Sequence, residues 1–257
     1  MASEPPDSLG AARPGWDDRF SGIARLLGNG ALARLAAARV LVVGLGGVGS
    51  WAVEALARSG VGHLGLVDGD DVCLTNTNRQ LHAVAGAVGQ PKASAMAARV
   101  TAIDPSVSVR AHRLVLDASN VGAVLDEGWD AVVDAIDDVP AKCVLLVACL
   151  ARSLPVVTCG GAGGKTDGTQ VRTGDLGHAV NDPLLRQVRK RLRRQHGFPS
   201  GEGVDFGIAA VYSRERPRIP RGQRDVAFGT AGFVTGAFGL AAAGWVVRGL
   251  AEPAVGR

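Results

Sequence analysis

The residues of this chain that could do chemistry crowd into the stretch between Gly44 and Asp138. Gly44, Gly46 and Gly49 stand at G-x-G-x-x-G spacing, and Asp68 lies nineteen positions after the last of them. Glycines at that spacing let the backbone turn tightly and approach a phosphate, while a following helix points unpaired N–H groups at the anion. An acid at the end of the next strand accepts hydrogen bonds from ribose hydroxyls. Dehydrogenases place an acid at the same point, so Asp68 alone does not say which nucleotide binds. The choice rests on residues 75–80, TNTNRQ, and on Lys92 downstream. Asn76, Arg79 and Lys92 combine charge with directional donors, enough to grip a triphosphate tail, whereas a dinucleotide pyrophosphate needs mainly the glycine loop. Asp134, Asp137 and Asp138 follow an apolar run. Carboxylates facing a triphosphate would hold Mg²⁺, which takes oxygen ligands and keeps waters. Asp137 is the expected metal ligand, and Asp138, two residues ahead of Pro140, suits a helix N-cap.

These side chains need a scaffold, and the pattern supplies one. Residues 40–43 are four consecutive branched apolar residues, as in a strand buried on both faces. A helix over 50–58 and a short strand over 64–67 complete a βαβ unit that delivers Asp68. Residues 72–88, dense in Thr and Asn, read as a loop with short helical turns. Further on the chain alternates: a helix over 92–103, a strand over 108–115, a short helix over 120–125, a strand over 131–136, an apolar helix over 140–153 and a strand over 154–158. The expected fold is α/β, a Rossmann-like, mostly parallel sheet with helices on both faces. Residues 170–173 and 208–212 read as strands of a small antiparallel C-terminal extension, with a strongly basic helix over 183–196 between them. Ahead of the first strand, Gly28 and Gly30 split residues 19–35 into two short helices. Residues 1–16 read as a disordered leader.

Composition narrows the function classes. The net charge of +4 is too small for a global electrostatic argument for nucleic acid. The four cysteines, Cys73, Cys143, Cys149 and Cys159, form no C-x-x-C pair, so neither a zinc knuckle nor a disulfide framework is indicated. Buried apolar cysteines in a reduced, cytoplasmic setting are expected. The polar N-terminus has no apolar core and is not a signal peptide. Residues 226–247 run for twenty-two positions without a charge, long enough to span a membrane. Their Gly- and Ala-rich make-up suits close packing against a sheet better than lipid, so membrane association is not expected.

In this order and spacing, GLGGVGS, LVDGDDV, NTNRQ, PKA and DAIDDV resemble the ThiF/MoeB/ubiquitin-activating-enzyme superfamily of ATP-dependent adenylating enzymes. The likeness runs from about Arg19 to the C-terminus. Within it, RFSGIARLLG, CLTNTNRQLHA and TCGGAGGKTDGTQVRTGDL resemble the tRNA threonylcarbamoyladenosine dehydratases. The resemblance implies one adenylating domain over residues 17–257, with a nucleotide-binding core at about 38–160 and a substrate and dimer region beyond it. It implies a homodimer that uses ATP and Mg²⁺ to activate the threonyl carboxylate of threonylcarbamoyladenosine beside the tRNA anticodon, which then closes with loss of water. Gly44, Gly46 and Gly49 would line the phosphates and Asp68 would hold the ribose. Asn76, Arg79 and Lys92 would contact the phosphate tail and stabilise charge on the α-phosphate, and Asp137 would bind Mg²⁺.

The departures are local. Many relatives carry an Arg three residues after the one matching Arg19, reaching across the dimer. Here that position is Gly22, and Arg25 is the nearest substitute. Val226 stands where some dehydratase relatives have a cysteine. Arg186, Arg189, Lys190, Arg191, Arg193 and Arg194 put six positive charges within nine residues, and a tRNA substrate gives them a use in contacting phosphates. One rival reading is adenylation of the C-terminal glycine of a ubiquitin-like sulfur carrier, opposed by the missing C-x-x-C pairs and by the basic helix. An NAD-dependent oxidoreductase is opposed by the Asn-Arg-Lys group. A nucleotide sensor without turnover is opposed by Arg79, Lys92 and Asp137. A sulfur-transfer protein partner stays open.

Overall fold

The sequence pattern is realised in a computed structural model that describes residues 15–201, 203–218 and 228–253. Two helices, α1 (Trp16–Leu27) and α2 (Asn29–Ala37), lead into β1 (Arg39–Val43). Then follow α3 (Gly49–Arg58), β2 (His63–Val67), α4 (Lys92–Ile103), β3 (Ser108–His112), α5 (Val121–Leu125) and β4 (Ala131–Asp134). The second half holds α6 (Val139–Ala151), β5 (Val156–Cys159), β6 (Val171–Asp175), α7 (Pro183–His196), β7 (Ala209–Ser213) and α8 (Gly232–Ala251). Seven strands form one sheet in the order β3-β2-β1-β4-β5-β7-β6, parallel except for edge strand β6. The chain leaves β1 toward β2 and later returns to its other side as β4. The order therefore reverses between β1 and β4, and an open α/β sheet leaves its ligand crevice at the carboxyl ends of such strands.

Alternation along the strands sorts the core into two layers. Val40 and Val42 of β1 face a cluster that includes Leu56 of α3, Met96 of α4 and Phe238 of α8. Leu41 and Val43 face the opposite one, with Leu145 and Leu146 of α6 and Val188 of α7. Both faces of β1 are covered, which is why its residues read as a continuous apolar run.

Several expectations shift. The expected antiparallel C-terminal pair is present as β6 and β7, and it extends the main sheet: β7 joins β5 in parallel, and only β6 runs against the sheet. The chain is broken at Gly28, whose φ of 90° reverses its direction, but Gly30 lies inside α2. Cys73 is exposed, against the expectation of burial, whereas Cys143, Cys149 and Cys159 are buried. Burial pushes those three thiols up, to about 11, 12 and 12. Residues 1–14 of the expected leader (1–16) lie outside the described residues, and Trp16 already opens α1 and packs on Phe20. Val226 is likewise outside them.

The uncharged C-terminal run forms α8, the one described helix long and apolar enough to cross a membrane, with half of its most apolar window buried inside the protein. Small residues decide where it goes. A Cβ on Gly239 would strike the Val48 carbonyl and the Ala52 nitrogen, so the α8 and α3 backbones touch there. Gly236 lies against the Trp51 ring. Phe233 and Leu240 of α8 remain exposed.

Candidate nucleotide-binding site

The glycine turn after β1 is closed by backbone contact. Gly44 has φ +85°, and a Cβ there would lie 2.8 Å from the Ala135 carbonyl oxygen of the loop after β4. A Cβ on Gly49, the first residue of α3, would fall on the Gly44 carbonyl. Gly46 differs: the nearest atom to its would-be Cβ is Gln80 Nε2 at 3.9 Å, so space lies above it. Two glycines thus form the turn while the third leaves room for a close ligand. Asp68 is locked across this turn. Its Oδ2 accepts from the Leu45 N–H at 2.6 Å and its Oδ1 from the Asp70 N–H at 2.8 Å.

The 75–80 segment folds over the turn and is stapled to two helices. The Arg79 carbonyl accepts from Trp51 Nε1 at 3.1 Å and from Thr235 Oγ1 at 3.4 Å, tying it to α3 and α8. Asn76 is buried, its Oδ1 held by the Cys73 N–H at 3.0 Å. The stem of Arg79 runs over Gly47, whose Cβ would meet its Cγ at 3.2 Å. The guanidinium donates to the Thr75 carbonyl at 2.9 Å and to Asn78 Oδ1 at 3.0 Å. Lys92, buried at the start of α4, pairs with the exposed Asp70 at 2.7 Å. Asp68 and Asp70 thereby link the glycine turn to Lys92 in one chain of contacts.

The loop after β4 separates its three acids. Asp134 is fully buried and accepts from Lys142 Nζ at 2.8 Å and Thr158 Oγ1 at 2.7 Å. Its second oxygen accepts from the Ile136 N–H at 3.1 Å, which bends the chain out of the strand. Asp134 therefore does not face the crevice, correcting its expected place among metal carboxylates. A buried carboxylate needs a paired cation, and Lys142, wholly buried, supplies it. Asp138 caps α6 through the Ala141 N–H at 2.8 Å, as expected. Asp137 is exposed, and its carboxylate has no partner among the described residues. No three His, Cys, Asp or Glu side chains gather into a metal cage among the described residues. One free carboxylate beside a phosphate cradle fits an ion such as Mg²⁺ that draws its other ligands from phosphates and water.

The second glycine run, after β5, is anchored in the same manner. Asp182 Oδ2 accepts from the Gly161 N–H at 3.0 Å, and its Oδ1 caps α7 through the Leu185 N–H at 3.0 Å. Lys165 lies 4.0 Å away, also buried, with its ammonium over the Phe238 ring. Burial raises the Asp182 pKa and lowers that of Lys165, because each charge has left water for a thinly polar interior. Lys142, Lys165 and Asp182 were not singled out from sequence, although a lone lysine in the apolar run VPAKCVLLVACLA was a visible signal. Gln80, quoted in TNTNRQ without a role, is buried with an unpaired Oε1 beside the turn.

The ThiF family model matches residues 21–254. This chain belongs to the ThiF family. Within that family it is 42% identical to the tRNA threonylcarbamoyladenosine dehydratase of Haemophilus influenzae, over 90% of this chain and 93% of the relative. The crystal structure of the Escherichia coli dehydratase in complex with ATP superposes with a TM-score of 0.88 at 41% identity, covering 94% of this chain and 97% of that one. The same enzyme in complex with AMP gives 0.89 at 40% identity, with the same coverage.

In this ThiF-family chain the basic helix divides its charges. Arg186, Lys190 and Arg194, four residues apart, form an exposed stripe. Arg189 instead turns inward and donates to the Leu176 carbonyl at 3.2 Å. Arg193 donates to the Pro199 and Gly201 carbonyls at 3.0 and 2.7 Å and lies over the Phe206 ring. Two of the six basic residues of this helix are thus engaged by the fold's own carbonyls. On α1, Arg19 pairs with Asp104 at 3.0 Å, whereas Arg25 is exposed.

Proposed function

We propose that this chain binds ATP above Gly44–Gly49 and uses it to activate the threonyl carboxylate of threonylcarbamoyladenosine in tRNA. The observation that carries this reading is the match, over nine-tenths of the chain, to relatives named for that reaction. Solved complexes of one such relative with ATP and AMP are in keeping with it.

The chemistry suits the residues at hand. A carboxylate oxygen of the substrate attacks the α-phosphorus, the bond to the β-phosphate oxygen breaks, and pyrophosphate leaves. The carboxyl carbon, now part of a mixed anhydride, is attacked by the neighbouring carbamoyl group. A ring closes, AMP leaves with the former carboxylate oxygen, and a proton is released; water is lost overall. Neither step demands a strong base. Both demand positioning and neutralisation of phosphate charge. N–H groups of the glycine turn and the α3 N-terminus receive the phosphates, and Asp68 receives the ribose. Arg79 and Lys92 leave the Thr75 carbonyl and Asp70 to meet the triphosphate, while Asn76 keeps its Oδ1 on Cys73 and offers its amide N–H. Asp137 would hold Mg²⁺ together with phosphate oxygens, and the ion would neutralise charge on the leaving pyrophosphate.

The sulfur-carrier and NAD readings are less favoured, the first for want of C-x-x-C pairs and the second for the Asn-Arg-Lys group. We place the chain in the cytoplasm as a homodimer. The exposed Phe233 and Leu240 of α8 and Leu26 of α1 are apolar surface of the kind a partner copy would cover. Arg25 is the arginine free to cross to a partner's nucleotide.

The test is nucleoside mass spectrometry on tRNA carrying threonylcarbamoyladenosine, incubated with the protein, ATP and Mg²⁺. The expected product is lighter by one water, and it is lost in Arg79→Ala and Asp137→Asn. An unchanged nucleoside with the wild-type protein would refute the reading.

A further inference from the structure

A cavity of about 580 Å³ lies between α7 and residues 177–181, outside the glycine turn. His178, Val180, Asn181, Arg186, Arg189 and Pro217 are among its lining residues. Its volume falls within the ~300–1,000 Å³ of small-molecule sites. Its character is cationic. Arg189 is fixed on the Leu176 carbonyl, but the exposed Arg186 guanidinium has no partner among the described residues.

The position matters as much as the charge. Asp182, which lines the cavity, binds the N–H of Gly161, two residues past the end of β5. In the sheet order β4 lies between β5 and β1. At ~4.8 Å per strand, β5 is roughly 10 Å from the strand that carries the glycine turn. The Asp182 end of the cavity thus lies on the same sheet edge as the nucleotide crevice, a short reach to one side, while Gly177 and His178, which follow β6, line it toward the opposite edge. From there the exposed stripe continues along α7, with Lys190 and then Arg194 each ~6 Å further along the helix axis.

We propose that this cavity holds a nucleotide of the tRNA next to the one being activated, with its phosphate on Arg186 and the following phosphates on Lys190 and Arg194. This rests on the proposed function and gives it an RNA path. Anticodon-loop bases are single-stranded and can be splayed into such a recess, while the backbone follows the cations outside. Asp182 lines one end of the cavity with both its oxygens held by backbone N–H groups. His178, paired with Asp205 at 2.7 Å, lines the wall.

The experiment titrates a threonylcarbamoyladenosine-containing anticodon stem-loop against wild type, Arg186→Glu and Val180→Trp at several salt concentrations. ATP binding and melting temperature are measured alongside. Arg186→Glu is expected to weaken RNA binding several-fold and to flatten the log–log salt slope by about 1. Val180→Trp fills the recess without altering charge, so affinity falls while the slope holds. Both keep wild-type ATP affinity and melting temperature. Wild-type RNA binding by both variants would overturn the proposal. If the wild-type protein fails to dehydrate full-length tRNA, the proposed function falls instead; wild-type turnover with unaffected variants sinks only the RNA path.

Discussion

His82 should make this protein acid-labile in a pH window that its surface residues do not explain. The imidazole is 4% exposed and neither ring nitrogen has a hydrogen-bond partner. Burial, reinforced by the nearby Lys92 ammonium, lowers its pKa from 6.5 to about 4. The native state therefore keeps a neutral ring while the unfolded chain takes up a proton below pH 6.5. Between those two values the unfolded state binds more protons, so stability is complete above the upper one and is lost as pH falls toward the lower. Integrating that difference gives ~2 kcal/mol lost at pH 5 and ~3 kcal/mol once both forms are protonated. For a domain of this size the loss at pH 5 lowers the melting temperature by ~4–8 °C. The assay is urea or thermal unfolding of wild type and His82→Leu from pH 7.5 to 4.5. The variant should lack this component, so wild-type stability should fall by ~2 kcal/mol relative to the variant between neutral pH and pH 5. Parallel pH profiles would show that His82 is not the titrating group.

Two further outcomes follow from the crevice. Lys142→Met strands the buried Asp134 carboxylate, which should cost ~3–5 kcal/mol in urea unfolding; Asp134→Leu added to it should recover most of that loss. Among the glycines the effects should separate. Gly49→Ala must push its Cβ onto the Gly44 carbonyl and should lower the melting temperature together with ATP affinity. Gly46→Ala meets nothing closer than Gln80 at 3.9 Å and should leave the melting temperature unchanged while weakening ATP binding measured by calorimetry. Equal melting losses in both would mean that the space above Gly46 is not a ligand's.

Legibility in the sequence followed how local each interaction is. The helices at Lys92–Ile103 and Pro183–His196 coincide with expectation residue for residue, because each is opened by a proline signal in its own sequence. Strand ends do not. Residues 108–115 read as a strand, yet β3 stops at His112, where its partner β2 ends at Val67. Apolar content says nothing of when a neighbour runs out. The entry of β7 beside β5 was hidden for a similar reason, since a long excursion through β6 and α7 separates the two strands in sequence. The site divides in the same way. The glycine turn and its contact with Asp68 are readable because they lie close together in sequence at a telling spacing, whereas Asp134 looked like a ligand until Lys142 and Thr158 appeared beside it. Likewise α7 looked uniformly basic until Arg189 and Arg193 were found on the protein's own carbonyls.

One device repeats along the carboxyl edge of the sheet. After β1, the Leu45 N–H is held by Asp68; after β4, the Ile136 N–H by Asp134; after β5, the Gly161 N–H by Asp182. Three adjacent strands thus each hand their loop to an acid, and two of those acids are buried with a lysine nearby. Loops so fixed cannot reorganise cheaply when charge develops, which is what electrostatic catalysis requires of its surroundings. The charges left over are Arg79, held only by a carbonyl and an amide oxygen of its own loop, Lys92 on an exposed partner, and the unpaired Asp137. Each can exchange a weak or solvated contact for a phosphate or a metal at small cost, and none lies deeper than the loops that fix it. The edge therefore separates groups that hold shape from groups that change partners. A substitution among the first should alter folding and ATP affinity together, whereas one among the second should alter turnover with the fold intact.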